Sequence, residues 1–433
     1  MIRTAFNRPE SNNLADWLAW LETLDPSRIE LGLDRIREVY SRLPAMNAST
    51  KVVTIAGTNG KGSCLAALQT AALAAGKSVV SYSSPHLLHY NERIQVQGTP
   101  ATDNYLVDAF VEIADVQNNT FLTYFEFATL AALCIAAKQQ PDLLILEVGL
   151  GGRLDSVNLI DADIVVLTAI GMDHMDWLGN DIESIAYEKC GVIRRGRPLV
   201  LAAPDMPATV TRIAEEKSVV LYSWGIEFEL EKTQGESYCL RIDDQEFQLG
   251  QLLLHAHSVG GALMVAKFLW PEKLPDILES ISSAKMPGRY QKLNIGSTQL
   301  ILDVAHNPMA LAYLVEQIKQ DGIEEVELIF AIMSDKDCSQ AIEILAPLVK
   351  RWQLLELNNS RALPTSRVAE LLAEQGVEDI GILDIQNNLY WKDVFLAKRE
   401  QSPLLVTGSF YTVAAILEQP EVKAAIASNS ASN

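Results

Sequence analysis

Apolar residues along this chain fall into two rhythms. The stretches KVVTIA (51–56), SVVSY (78–82), DLLILEV (142–148) and DIVVLTAI (163–170) are short and apolar almost throughout. Such runs suit strands covered on both faces, as in a parallel sheet. Helical stretches alternate with them, one from about Ser63 to Ala75 and one in LTYFEFATLAALCIAAK (122–138). The second opens with Thr123 and Glu126 three apart, the spacing of a capping box. The alternation up to about residue 205 predicts a doubly wound α/β domain with a mostly parallel sheet.

The rhythm changes between about 219 and 250. FELEK, YCLRI and EFQLG alternate polar and apolar positions and are separated by TQGES and DDQ, which predicts a small antiparallel insert. A helix over about 256–269 follows, and AKMPGRYQ reads as the exit from the domain. From TQLILDVAHNP onward the strand–helix alternation resumes through VELIFAIM, a helix after Asp337, WQLLEL, a helix from Ser366, IGILD, another helix and PLLVTGSFYTV. The expected organisation is therefore an N-terminal α/β domain over 1–288, a hinge at 289–297 and a smaller Rossmann-like α/β domain over 298–433. The tail AAIASNSASN is expected to fray.

Composition narrows the function classes. No apolar run reaches the ~18 uncharged residues of a membrane span, and the N-terminus lacks the core of a signal peptide. Five scattered cysteines (Cys64, Cys134, Cys190, Cys239, Cys338) without a C-x-x-C pair suit reduced, packed thiols and a cytoplasmic location. A formal charge of −20 argues against nucleic acid, whose phosphates need a basic surface. Small anions remain open, since they respond to local dipoles and cations.

The sharpest chemical signal is Gly57-Thr58-Asn59-Gly60-Lys61-Gly62-Ser63, between the first strand and its helix. Glycines let backbone N–H groups converge on phosphates, the helix N-terminus adds a positive dipole end, and Lys61 adds a cation. Ser63 either caps the helix or faces a metal ion. The loop lacks the Walker spacing, because Ile55 stands where its leading glycine belongs and Gly62 follows the lysine, so a plain glycine-rich turn is the competing reading. Glu147 ends the strand 142–148, and Asp173-His174 follows the next strand, which places all of them on one carboxyl edge, where such sheets bind ligands. Each alone is as readily an ordinary edge residue. Lys189, on a predicted helix, reads by itself as a solvated lysine. In the second domain Asp303 and His306 (LDVAHNP), MSDKD (333–337) and TGSFYTV (407–413) share the equivalent edge and point to a second half-site.

In order along the chain, GTNGKGS (57–63), SSPH with NERI (83–94), LEVGLGGRLDSVN (146–158), GMDH (171–174), YEKCGVIRRGRP (187–198), PGRYQ (287–291), DVAHNP (303–308), MSDKD and GSFYTV (408–413) resemble the folylpolyglutamate synthase/dihydrofolate synthase family within the Mur ligase superfamily. The resemblance runs from about 28 to 415. It implies ATP-driven amide formation: a carboxylate is phosphorylated and the amine of L-glutamate displaces the phosphate. Dihydropteroate and reduced folates are the implied acceptors, and the N-terminal RIELGLDRI (28–36) looks like that of bifunctional members.

The resemblance also implies roles. Gly57, Thr58, Asn59, Gly60, Lys61, Gly62 and Ser63, with Arg289 and Asp303, would hold ATP. Ser84 and Glu147 would bind one Mg2+, and His174 with a carbamylated Lys189 would bind a second, the carbamate turning an amine into an oxygen ligand that magnesium accepts. A monovalent cation is a further expectation. Lys61, His174 and Lys189 would be catalytic. Thr123, Tyr124, Phe125, Glu126, Leu154, Asp155 and Ser156 would form the pterin side, with Phe125 stacking and Asp155 accepting from the pterin; for Phe125 plain core packing is the alternative. A monomer is expected.

Three positions depart from the family pattern: Ser156-Val157 where Ala-Thr is usual, Ser258 where many members carry an ATP-contacting Asn, and Val304 where Gly is common. The rivals are a monofunctional folylpolyglutamate synthase, a Mur-type ligase for a cell-wall nucleotide and a non-catalytic ATP-binding protein. The early phosphate loop leaves little room for the uridine-nucleotide domain of the second, and intact Lys61, Glu147, His174 and Lys189 count against the third.

Overall fold

The computed structural model describes residues 8–24, 28–233, 235–243, 245–377, 379–384 and 402–430. It divides into two compact mixed α/β units, Met1–Lys285 and Met286–Asn433.

In the first unit, β1 (Lys51–Ala56), β2 (Val79–Tyr82), β3 (Ile94–Val96), β4 (Thr99–Pro100), β5 (Leu143–Glu147), β6 (Ile164–Leu167), β7 (Pro198–Leu201) and β8 (Val220–Ser223) form one sheet in the order β4-β3-β2-β5-β1-β6-β7-β8. All pairs from β2 to β8 are parallel; the short β3 and β4 extend the edge in antiparallel fashion. β1, β5 and β6 are buried along nearly their whole length, which their unbroken apolar runs require. The helix Tyr124–Gln139 begins with the expected capping box between Thr123 and Glu126. β9 (Phe228–Lys232), β10 (Tyr238–Ile242) and β11 (Gln245–Leu249) make the expected antiparallel insert, whereas 220–223 joins the main sheet instead.

The helix expected from Ser63 starts at Lys61, capped by Gly60 in the left-handed region (φ 86°). Ser63 lies buried in its first turn, so it is not the cap. All five cysteines are free, and four are buried. No helix of the described residues is long and apolar enough to cross a membrane.

In the second unit, β12 (Gln291–Ile295), β13 (Thr298–Leu302), β14 (Val326–Phe330), β15 (Val349–Glu356), β16 (Ile380–Asp384) and β17 (Leu404–Thr407) are ordered β12-β13-β17-β14-β15-β16 among the described residues. Only β12 runs antiparallel. Residues 289–297, read from sequence as a hinge, contain this strand: the alternating Leu293 and Ile295 are buried, which draws the segment into the sheet. The tail is helical from Pro420 to Ser430 and buries Val422, so it does not fray over that span. The helix expected after IGILD lies outside the described residues.

Candidate active site

The loop after β1 is bent against the exit of β6. Thr58 and Asn59 donate their amides to the Ala169 carbonyl (2.7 and 3.4 Å), and the Thr58 hydroxyl exchanges hydrogen bonds with Gly171 at 3.0 Å. Gly57, at φ 148°, occupies backbone space that L side chains rarely enter, and a Cβ there would collide with Thr168 Oγ1. Sequence, sterics and loop shape therefore agree on glycine.

Two lysines meet at this loop. Lys61 Nζ donates to the carbonyls of Gly57 (3.0 Å) and Thr58 (3.1 Å), and Lys189 Nζ donates to the same Gly57 carbonyl at 3.0 Å. Lys189 is not the solvated lysine of the sequence reading: it is 5% exposed, at the C-terminal end of the helix Ile182–Lys189. Burial, reinforced by the Lys61 charge and opposed by Asp173 and Asp155, lowers its pKa to about 7. A neutral amine is thus accessible near physiological pH.

Glu147, 4% exposed, ends β5 beside β1, and the Ser84 amide points to its Oε2 at 3.3 Å. This brings the two candidates for the first magnesium site together. His174 takes a left-handed conformation (φ 52°), and its half-exposed ring approaches Asp173, Nε2 to Oδ2 4.0 Å. It is Asp173, not His174, whose charge acts on Lys189. Among the described residues no cluster of three His, Cys, Asp or Glu could hold a metal ion.

Among the residues expected to take the pterin, Thr123, Tyr124, Glu126, Asp155 and Ser156 are buried, so the half-buried Phe125 and Leu154 supply the accessible surface of these loops. The Asp155 carboxylate organises its own loop: Oδ2 accepts from the Leu150 amide (2.8 Å) and Oδ1 from Val157 (2.9 Å). Burial pushes its pKa up to about 6 against those hydrogen bonds. Ser156 Oγ is 2.7 Å from Thr129 Oγ1. The Phe125 ring lies 6.0 Å from that of Tyr82 and over Gly149. The N-terminal segment is fastened here as well, by Gly32 N to Leu154 O (3.3 Å) and Arg35 Nη2 to Glu126 Oε1 (3.1 Å). Ser258 donates to the Gly60 carbonyl at 3.1 Å, so the residue at the usual Asn position braces the phosphate loop.

In the second unit, Asp303 accepts the amides of Tyr290 and Ala305, both at 2.8 Å, and burial raises its pKa while Arg289 opposes the rise. The Arg289 guanidinium sits 5.0 Å from the Phe410 ring, and His306 6.0 Å from the same ring. The loops after β13, β14 and β17 are tied by Thr407 Oγ1 to Ala305 O (3.1 Å) and Thr412 Oγ1 to Ala331 O (2.7 Å). Arg289 and His306 thus meet at Phe410 and Arg289 acts on Asp303, as the strand-end positions of Asp303 and His306 suggested for those two.

Residues 55–262 match the Mur ligase middle domain and residues 288–410 the Mur ligase glutamate ligase domain. The dihydrofolate synthase/folylpolyglutamate synthase of Escherichia coli is 36% identical over 416 residues, covering 94% of this chain and 95% of the relative. This chain belongs to the dihydrofolate synthase/folylpolyglutamate synthase family. The folylpolyglutamate synthase of Lacticaseibacillus casei is 30% identical over 397 residues, or 84% of this chain and 89% of the relative. Among solved structures, E. coli FolC in complex with DHPP and ADP superposes with a TM-score of 0.84 at 35% identity, covering 95% of this chain and 98% of that one. The Yersinia pestis bifunctional enzyme complexed with AMPPNP and Mn ion gives the same TM-score, identity and coverage.

Several residues of this family member escaped the sequence reading. Thr168 closes against Gly57, Arg35 secures Glu126, and the loop at Arg153 lies on the Lys189 helix through Arg153 N to Glu188 O at 2.8 Å. None carries a local signal, because each acts through a partner distant in sequence.

Proposed function

We propose that the chain joins L-glutamate to dihydropteroate, forming dihydrofolate, and to the γ-carboxyl of reduced folates, at the expense of ATP. The supporting observation is the convergence of Lys61 and the buried Lys189 on the Gly57 carbonyl, in a phosphate-type loop beside Glu147. The acceptor carboxylate attacks the γ-phosphorus of ATP, the bond to the bridging oxygen breaks and ADP leaves. The glutamate amine then attacks the acyl carbon, the bond to phosphate breaks and the amine gives up a proton. Such chemistry needs charge neutralisation and positioning rather than a protein nucleophile.

The residues fit magnesium by donor type. The Ser84 hydroxyl and Glu147 carboxylate are hard oxygen donors, and Lys189 becomes one when its neutral amine adds CO2 to give a carbamate and a proton. When bound, the ions neutralise the β- and γ-phosphates. His174 is assigned to the second ion with Lys189. Gly57 to Ser63 form the phosphate loop, in which Ala169 holds the Thr58 and Asn59 amides and the helix start at Gly60 to Ser63 presents its amides to the phosphates. Lys61 offers its ammonium, and Arg289 and Asp303 serve the nucleotide. Phe125 and Leu154 face the pterin. Asp155, whose oxygens already take two loop amides, receives the pterin N–H groups on its remaining lone pairs. The protein acts as a cytoplasmic monomer that also uses a monovalent cation.

The test is ADP release from purified protein with magnesium and glutamate, with dihydropteroate and then tetrahydrofolate as acceptor. Turnover with both is expected. Turnover with the folate alone leaves a monofunctional folylpolyglutamate synthase, and turnover with neither removes the pterin assignment.

A further inference from the structure

Arg93 is the one arginine of the first unit that is both buried and short of an anionic partner among the described residues. It ends the 3-10 turn Tyr90–Arg93 and is 8% exposed. Its Nε donates to His86 Nδ1 at 2.8 Å, and its guanidinium lies 5.5 Å from the Tyr90 ring and 5.3 Å from the Tyr124 ring. No carboxylate reaches ion-pair distance of it: the neighbouring Glu92 turns its oxygens to the amides of Leu87, Leu88 and His89. Around it stand further donors without acceptors. The Tyr90 hydroxyl is buried with no hydrogen-bond partner, and the buried Tyr82 hydroxyl approaches Arg93 and Thr129 only at loose geometry. Burying an uncompensated guanidinium is costly, and aromatic faces offset only part of the cost. Apart from His86 Nδ1 the cluster offers donors without an anionic acceptor, which is the signature of an anion-binding site.

The position of Arg93 says which anion. Its carbonyl accepts the Ser83 amide at 2.8 Å, and its side chain holds His86, so it is fastened on both sides of Ser84. On its other flank Tyr124 leads into Phe125, whose ring packs on Tyr82. Arg93 therefore bridges the loop assigned to the metal and phosphates and the aromatic residues assigned to the pterin. We infer that Arg93, helped by the Tyr82 and Tyr90 hydroxyls, binds the carboxylate of the acceptor that is to be phosphorylated. This rests on the ligase reading given above. A guanidinium there offsets the repulsion between the incoming carboxylate and the polyphosphate, and a planar fork fixes the carboxylate in an attacking orientation.

The experiment compares equilibrium binding of 7,8-dihydropteroate with that of its carboxamide, on the full chain with magnesium and a non-hydrolysable ATP analogue. The wild type is expected to favour the acid by about 10- to 100-fold. R93Q is expected to bind acid and amide alike while keeping the wild-type KM for ATP. Three results overturn the assignment: equal binding of acid and amide by the wild type, a preference that survives in R93Q, or a parallel loss of both ligands, which marks a purely structural arginine. A rise in the KM for ATP with the preference intact also overturns it and reassigns Arg93 to the phosphates. Should R93Q fail to fold, the wild-type comparison and R93K, expected to keep a reduced preference, still decide. A wild type that neither binds nor turns over dihydropteroate removes the ligase reading as well, whereas turnover without acid preference removes only the role of Arg93.

Discussion

Lys61 and Lys189 aim their ammonium nitrogens at one oxygen, the Gly57 carbonyl, each at 3.0 Å. Two cations sharing an acceptor in a buried place cannot both stay protonated cheaply. Lys189, the more buried, yields, and its pKa falls to about 7. A large share of folded chains thereby carries Lys189 as an unprotonated primary amine near neutral pH, the form the proposed carbamate requires.

A pH signature follows. The folded pKa of Lys189 lies below its ordinary value of 10.5, so between those limits the unfolded state binds the extra proton. Stability then rises with pH across that window, and the penalty is complete below about 7. In CO2-free buffer without nucleotide, Lys189→Met is expected to be more stable than wild type near pH 7, with the advantage vanishing towards pH 10. Urea unfolding at a series of pH values measures it, and a constant gap between the two proteins would count against a depressed lysine.

The same variant is expected to lose kcat by about 10²–10³-fold, the scale seen when one preorganised electrostatic group is removed. With 13C-labelled bicarbonate, the wild type should show a carbamate carbon resonance that strengthens as pH rises through 7 and is absent from Lys189→Met. A resonance that persists in the variant places the carbamate elsewhere.

Gly57→Ala tests the loop itself. The new Cβ meets Thr168 at a backbone φ of 148°. The expected cost is about 1–3 kcal/mol of stability, with roughly a 10²-fold fall in ADP formation as the loop shifts. Pairing it with Thr168→Gly should recover part of the stability by removing the collision, but little of the activity, because the strained φ remains.

Legibility from sequence followed the range of each interaction. β1, β2, β5 and β6 of the first unit and β13 to β17 of the second were visible as apolar runs, and Thr123 with Glu126 was visible as a cap, because both depend on neighbours in sequence. Taken by itself Lys189 reads as solvated, and only the family resemblance gave it a role, because its burial depends on Gly57, 132 positions away. Residues 289–297 read as a hinge, and their strand at 291–295 went unseen because a short polar–apolar alternation becomes a strand only when β13 is there to pair with it. Arg93 left no trace beyond a four-residue motif, since an arginine lacking an anion is recognisable only once all its neighbours are known.

Arg35 and Glu126 carry the next expectation. Glu126 closes the capping box with Oε2 at 2.8 Å from the Thr123 amide and gives Oε1 to Arg35. Arg35→Ala leaves a carboxylate that is 4% exposed without its cation and releases the segment that holds Leu154. A loss of about 1–2 kcal/mol is expected, together with a higher KM for dihydropteroate at unchanged KM for ATP. Arg35→Lys should restore most of the stability. A rise in both KM values would mean that the ion pair supports the whole unit rather than the pterin side.

Gly149→Ala separates the two readings of Phe125. A methyl group at Gly149 would land on the Phe125 ring, and a ring at the end of a flexible side chain can swing aside. If Phe125 serves only as packing, the cost is about 1–3 kcal/mol of stability and nothing in acceptor affinity. If it stacks on the pterin, the displaced ring loses its partner, and the KM for dihydropteroate should rise about tenfold, the scale of one aromatic contact. The KM for ATP should stay fixed because the space beside Gly149 is filled by Phe125 and not by the loop at Gly57. Phe125→Leu is the control, since it removes the ring without crowding Gly149. Matching KM increases in the two variants would assign the loss to the missing stack, whereas an increase confined to Gly149→Ala would assign it to distortion of the 149–155 loop.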